Sequence, residues 1–289
     1  MEIVSEKIIQ QLYQPPPDSH KGQNGKLVII GGSRLFHGAS LWALKTASRI
    51  VDMVFYSPAE GSEQLTERLK SQLYDFISVA RHQVGDYIEE ADAVLIGPGL
   101  VRGTAKETGT GETGAETKRI TRDLLRKFPQ KKWVFDAGSL QVMEADWLKR
   151  LDQVIITPHQ QEFRTLFKFP SSSKITSDQV NQKAKEYRCI ILFKGPEDII
   201  CSPEKCFLNQ KGNSGMTKGG TGDVLAGLTA GLVCKNDPLL AAAAAAYING
   251  LAGDQLFKQL GPYFNASDLC EQIPKTMAGL IRGKWSKKN

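Results

Sequence analysis

Residues 215–228 read GMTKGGTGDVLAGL, with four glycines in the first eight positions, an aspartate directly after them and an apolar helical pattern beyond. Glycines let backbone N–H groups approach closely and point together. A helix start adds donors with partial positive charge, and together these make an anion cradle. The same glycines also suit a tight turn and close helix packing. Asp223 admits two roles at one position: a helix cap worth about 1 kcal/mol, or a general base that takes a proton from a hydroxyl attacking a phosphate. The stretch lacks the Lys-Ser/Thr ending of a P-loop. It also comes late in the chain, where a dinucleotide fingerprint would follow the first strand.

The elements that must carry this stretch are short, continuous apolar runs ending in Gly, Pro or polar residues: 26–33, 53–58, 91–99, 132–138, 153–159 and 189–195. They read as buried strands. Helix-length stretches lie between them, such as GASLWALKTASRIV and KRITRDLLRKF. The alternation predicts an α/β fold with a mainly parallel central sheet flanked by helices on both faces. Helices are expected over 223–235 and about 238–259, the latter starting at Pro238 as suits a first turn. Ligands in such folds sit at the carboxyl ends of the strands, where this chain places GGS, GPGL, DAGS, TPHQQEF and FKGPED. The alanine-rich 241–254 reads as a closely packed buried helix.

Nothing marks a domain boundary, so the expectation is one domain over 1–289, with an N-terminal extension at 1–19 and a basic tail at 283–289. The stretch 102–117, RGTAKETGTGETGAET, has no aliphatic beyond alanine. It reads as a mobile surface loop, either an inert insertion or a lid. A composition of 41% hydrophobic and 24% charged residues is that of an ordinary soluble globular protein. No run is long and apolar enough for a membrane span, and the acidic N-terminus is no signal peptide. The net charge is +6, yet the last eight residues hold four positive charges and no acid. The excess is a tail effect, and no nucleic-acid motif accompanies it. The five cysteines, at 189, 201, 206, 234 and 270, form no CxxC pair. They predict reduced thiols in a cytoplasm and no zinc site.

Taken together, HKGQNGKLVIIGGSRLFHGAS (20–40), GPGL (97–100), TPHQQEF (157–163), FKGPEDII (193–200) and NSGMTKGGTGDVLAGLTAGL (213–232) resemble the ADP/ATP-dependent NAD(P)H-hydrate dehydratases, members of the ribokinase-like superfamily. The resemblance is collinear over 20–282. Many such enzymes are fused to an N-terminal epimerase domain; only 19 residues precede HKG here, as in the stand-alone form. The resemblance implies phosphorylation of the C6 hydroxyl of hydrated NADH or NADPH by ADP or ATP, then loss of phosphate, with Mg²⁺ on the nucleotide and no assignable metal ligand. It implies Asp223 as the catalytic base. It puts the nucleotide at Lys194, Gly195, Pro196, Glu197 and Asp198, and along Asn213, Ser214, Gly215, Met216, Thr217, Lys218, Gly219, Gly220, Thr221 and Gly222. It puts the hydrated coenzyme at Ala39, Val101, His159 and Asp223. A homo-oligomer is also implied.

His159 could instead stabilise its loop, and His20 and Lys21 either touch phosphate or fix theirs. The chain departs from the family pattern at Val101, where GPGLG is usual, at Gly138, where DAD is usual, and at Val51-Asp52, where a glycine pair is usual. Two other readings share the cradle and the aspartate: a small-molecule kinase for a vitamin-precursor alcohol, and a nucleotide-binding module without chemistry. The HKGQNGK opening favours the dehydratase over the kinase, and the retained GGTGD argues against a pure binder.

Overall fold

Strands form where the apolar runs were read. They are β1 (Glu2–Ile3), β2 (Lys26–Ile30), β3 (Met53–Ser57), β4 (Ile77–Ser78), β5 (Ala93–Ile96), β6 (Lys132–Phe135), β7 (Gln153–Ile156), β8 (Ile190–Phe193), β9 (Asp198–Cys201) and β10 (Cys206–Asn209). This is a computed structural model, and it describes residues 1–59, 63–71, 73–170, 172 and 174–285. The sheet order is β1-β10-β9-β8-β7-β6-β5-β2-β3-β4, and every strand but β9 runs the same way.

Alternation along each strand feeds two cores. Leu27 and Ile29 face one, with the helices His37–Ala47, Thr221–Val233 and Pro238–Leu260. Val28 and Ile30 face the other, under the helices Val84–Glu90, Gly114–Lys127, Gln160–Phe167 and Ser177–Tyr187. Both faces are covered, which is why the strands read as continuous apolar runs. All six alanines from 241 to 246 are buried in the first core. That long helix starts at Pro238, with the Asp237 carboxylate accepting from the N–H groups of Leu239 and Leu240.

The chain leaves β2 toward β3 and β4, then returns to β5 on the other side of β2 and continues outward. Connections part at this switch point, opening a crevice at the carboxyl ends of β2 and β5. The loop 20–25 lies at the opposite edge. It is held by the Asp52 carboxylate, which accepts from the N–H of Gly22 and of Asn24, and the Cys234 thiol lies 3.7 Å from the Lys26 carbonyl oxygen. Cys234 ends the helix whose other end carries Asp223, about 16 Å away at 1.5 Å per residue. His20 and Lys21 therefore belong to a structural turn on the far side of the sheet from Asp223. Asp52, where the family has glycine, is what clamps that turn.

Two expectations need correction. The stretch 102–117 is not an unstructured loop: it holds the helix Ala105–Thr108 and the start of Gly114–Lys127, each closed by a capping box, Thr104 with Glu107 and Thr113 with Glu116. Gly114 and Thr117 are buried, and the Thr117 hydroxyl donates to the Val101 carbonyl at 2.6 Å. The signal was the repeated Thr-x-x-Glu spacing, which an inventory of large apolar residues passes over. Second, Cys201 and Cys206 are joined by a disulfide, while Cys189, Cys234 and Cys270 are free and buried. The turn between β9 and β10 sets Cys201 directly opposite Cys206, with Cα atoms 4.1 Å apart. The N-terminal extension 1–19 adds an edge strand, β1, and buries Ile8, Ile9 and Leu12. Of the expected tail, residues 286–289 lie outside the described residues, and the helix Ala266–Trp285 runs into its start. Among the described residues no helix is long and apolar enough to cross a membrane.

Candidate active site

The helix Thr221–Val233 starts at Gly220, whose φ of +97° is left-handed and whose missing Cβ would lie 2.5 Å from the Trp42 ring. Only glycine satisfies both conditions. The Thr221 hydroxyl, turned inward, bonds to the carbonyls of Met216 at 2.7 Å and Lys218 at 3.0 Å. The turn is thereby fixed, and the first N–H groups of the helix point out of the sheet edge without intrahelical partners. Asp223 sits in this first turn. It is not the cap, because Gly220 occupies that position and no side chain caps the helix. The capping role left open by the sequence is thus not the one Asp223 performs.

Charge converges beside it. Asp136 follows β6, Glu162 lies in the first turn of Gln160–Phe167, and Lys194 follows β8. The Lys194 ammonium is 2.8 Å from Asp136 Oδ1 and 4.0 Å from Glu162 Oε2. It also lies 3.4 Å from where a Cβ on Gly222 would be, so it touches the cradle. Burial opposes its charge, but Asp136, Glu162 and Asp223 outweigh that and push its pKa up to about 12. Burial also dominates at Asp223: with Asp136 and Glu162 adding repulsion against the pull of Lys194, its carboxyl is pushed up to about 7. A carboxylate poised there is suited to general-base work near neutral pH. Burial likewise lifts Asp198 to about 6, against hydrogen bonds from Asn209 and the Gly195 N–H.

A cavity of about 540 Å³ opens beside the cradle. Among the residues expected at the nucleotide, Lys194, Gly195, Pro196, Asp198, Asn213, Ser214, Met216, Thr217, Thr221 and Gly222 line it. Glu197, Gly215, Lys218, Gly219 and Gly220 do not. Glu197 accepts from the Gln210 amide, Gly215 packs on Phe264, and Lys218 turns away to the carbonyls of Pro262 and Phe264. Lys211, Leu225, Asn249 and Gly250 also line the cavity, and no local motif announced them. Asp254 holds its rim, accepting from the Gly212 N–H at 3.3 Å and from the Asn213 amide at 3.0 Å.

The residues expected at the coenzyme are spread around the same edge. Ala39 lies in the first turn of His37–Ala47, the helix that packs along Thr221–Val233, so two helix starts face the crevice together. Val101 is buried and lines a second cavity of about 340 Å³ with Ser33, Arg34, Arg81, Arg119 and residues 110–113 of the misread segment. His159 caps Gln160–Phe167, its Nδ1 accepting from the N–H of Gln161 at 3.1 Å and of Glu162 at 3.3 Å. Its Nε2 lies 3.5 Å from Glu162 Oε1 on an exposed ring face. The loop-stabilising role is thus present, as acceptor rather than donor. Glu162, 3% exposed, is the acid the sequence reading passed over, although its three-residue spacing from His159 follows the capping-box pattern. At Gly138, an added Cβ would sit 2.1 Å from the Leu100 carbonyl oxygen. The acid usual there has no room in this packing.

The residues present do not build a metal cage. Among the described residues no three His, Cys, Asp or Glu side chains could jointly hold an ion, and Lys194 already neutralises Asp136 and Glu162. Magnesium fits only as an ion carried by nucleotide phosphates.

The profile of a family described as NAD(P)H-hydrate dehydratase matches residues 27–275. An ADP-dependent (S)-NAD(P)H-hydrate dehydratase of Cenarchaeum symbiosum is 34% identical over 264 residues, spanning 90% of this chain and 91% of its own. A bifunctional NAD(P)H-hydrate repair enzyme of Methanocaldococcus jannaschii is also 34% identical, over 93% of this chain, and there the chain spans only 51% of the relative. The chain thus spans about half the length of the bifunctional relatives it matches. A Bacillus subtilis ADP/ATP-dependent NAD(P)H-hydrate dehydratase, crystallised with ATP and Mg²⁺, superposes with a TM-score of 0.82 at 24% identity, covering 96% of this chain and 98% of that one. This shows a shared fold. A ribokinase-like protein of Enterococcus faecalis superposes at 0.81 with 23% identity, so the fold is ribokinase-like.

Proposed function

Because the chain belongs to the NAD(P)H-hydrate dehydratase family, we propose that it restores hydrated NADH or NADPH by a phosphorylation–elimination sequence driven by ADP or ATP. The observation that carries this reading is Asp223, with its carboxyl at about 7, in the first turn of a helix beside both the nucleotide-sized cavity and Lys194. Asp223 takes the proton from the C6 hydroxyl. The freed oxygen attacks the terminal phosphorus as the bond to the departing nucleotide breaks. The Gly222 N–H, in the first turn of the helix, meets the developing charge on the phosphoryl oxygens, and Lys194 offsets the charge of the carboxylates around it. Phosphate is a far better leaving group than hydroxide, so C6–O then cleaves, and loss of a proton from C5 restores the ring double bond. Magnesium, when bound with the nucleotide, would offset phosphate charge.

The 340 Å³ cavity beside Val101 suits the remainder of the coenzyme, which makes the segment 110–117 part of its binding wall and not an inert insertion. The reading carries with it a cytoplasmic setting, where the coenzyme pool lies, and assembly as a homo-oligomer, which light scattering after gel filtration would test. The test of function is a dehydration assay on (S)-NADH hydrate with Mg²⁺ and either ADP or ATP, following the returning near-ultraviolet absorbance. Nucleotide-dependent recovery is expected. No recovery by protein that binds nucleotide would replace this reading with a kinase for another alcohol.

A further inference from the structure

The 540 Å³ cavity differs along its length. One end holds the Lys194 ammonium and the helix start at Gly222. The rest of its wall includes Met216 and the Gly212 and Gly250 backbones, which stand together with Lys211 against Gly250: Met216 Sδ is 3.5 Å from where a Cβ on Gly212 would be, and the Gly250 Cα is 3.9 Å from that same point. A cationic helix start with a wall of thioether and backbone atoms beyond it suits a nucleoside phosphate, with phosphates at the first and the base against the second. Asn249 lines this cavity from the long helix Pro238–Leu260, is 5% exposed, and has a side-chain oxygen buried without a hydrogen-bond partner. An unpaired buried acceptor destabilises a fold unless something else satisfies it. A ligand with a donor in its plane would do so.

We infer that Asn249 reads the nucleotide base and selects adenine. This rests on the nucleotide-dependent reading above. Its amide oxygen accepts from the exocyclic amine of adenine, and its amide nitrogen donates to N7, a pairing whose geometry is complementary on both atoms. Hypoxanthine offers a carbonyl oxygen where adenine offers the amine, so oxygen would face oxygen. A site built to bond a group discriminates strongly against the analogue lacking it, because its own buried atom is left unpaired.

Calorimetric titration of the whole chain with ADP and with IDP tests this, using wild type, Asn249→Ala and the near-isosteric Asn249→Leu. Wild type should prefer ADP over IDP by at least about fivefold. Both variants should bind ADP at least about fivefold more weakly and lose most of the preference. Without nucleotide, the Leu variant should melt at or above the wild-type temperature, since it removes an unpaired buried acceptor. Equal binding of ADP and IDP by wild type, or variants that weaken both nucleotides by the same factor, would overturn the base-reading role and leave the dehydratase reading standing. Where wild type binds ATP and not ADP, ATP and ITP are the pair compared; failure of wild type to bind either ADP or ATP would bring down both.

Discussion

Replacing Asp223 by Asn should stabilise the fold while it abolishes turnover, and the gain should follow pH in a direction set by the site. The Asp223 carboxyl is lifted from 3.8 to about 7 by burial and by Asp136 and Glu162. A carboxyl raised in this way holds its proton more tightly folded than unfolded. Its favourable contribution is whole below pH 3.8, and is lost progressively as pH rises through about 7. A shift of about 3 units at about 1.4 kcal/mol each sets an upper limit near 4 kcal/mol. Asparagine stays neutral throughout and imitates the protonated acid. The variant should therefore exceed wild type by no more than about 1 kcal/mol at pH 4.5 and by about 2–4 kcal/mol at pH 8, measured by urea denaturation. Wild-type kcat/KM should climb about tenfold per pH unit up to about 7 and then level, while the variant loses at least about a hundredfold. A gap that does not widen between pH 4.5 and 8 would refute the electrostatic account, and unchanged turnover would remove the base assignment.

Lys194→Met leaves Asp136, Glu162 and Asp223 without their shared cation. It should raise the KM for nucleotide and move the pH–rate inflection upward; an unmoved inflection would show that Lys194 does not act on Asp223. Cys201→Ser with Cys206→Ser, or simple reduction, opens a short loop and should cost about 2 kcal/mol of stability by urea denaturation. An unchanged denaturation midpoint in reductant counts against the bond. Thr113→Ala removes a capping box and should lower stability by about 1 kcal/mol. Deleting 104–116 should lower the melting temperature and raise the KM for the hydrate, and a deletion that alters neither would return that segment to the status of an inert insertion.

What the sequence determined by itself were features written locally. Continuous apolar runs between helical stretches specify buried parallel strands, because each face of such a sheet must be covered. GGTGD specifies a helix start with bare donors and one carboxylate, because only glycine can take the left-handed turn against Trp42. The strand-end position of polar loops pointed to the edge of the sheet where Asp223, Lys194 and the 540 Å³ cavity lie. Two further local signals were present and went unread: the paired Thr-x-x-Glu boxes at 104–107 and 113–116, and the five-residue spacing of Cys201 and Cys206 across a turn.

Tertiary structure alone decided the rest, since it depends on residues far apart in the chain. The ammonium of Lys194 meets carboxylates 58 and 32 positions away, and burial with the repulsion of those two carboxylates, against the pull of Lys194, brings Asp223 to about 7. Strand order put the HKG turn on the far edge from Asp223, although both motifs carry the same family resemblance. Asn249 looks like one more position in an alanine-rich packed helix until the Lys211–Met216 loop packs against its neighbours Gly250 and Gly253. Burial then strips water from its amide, and a polar atom without water needs a partner that this chain does not supply.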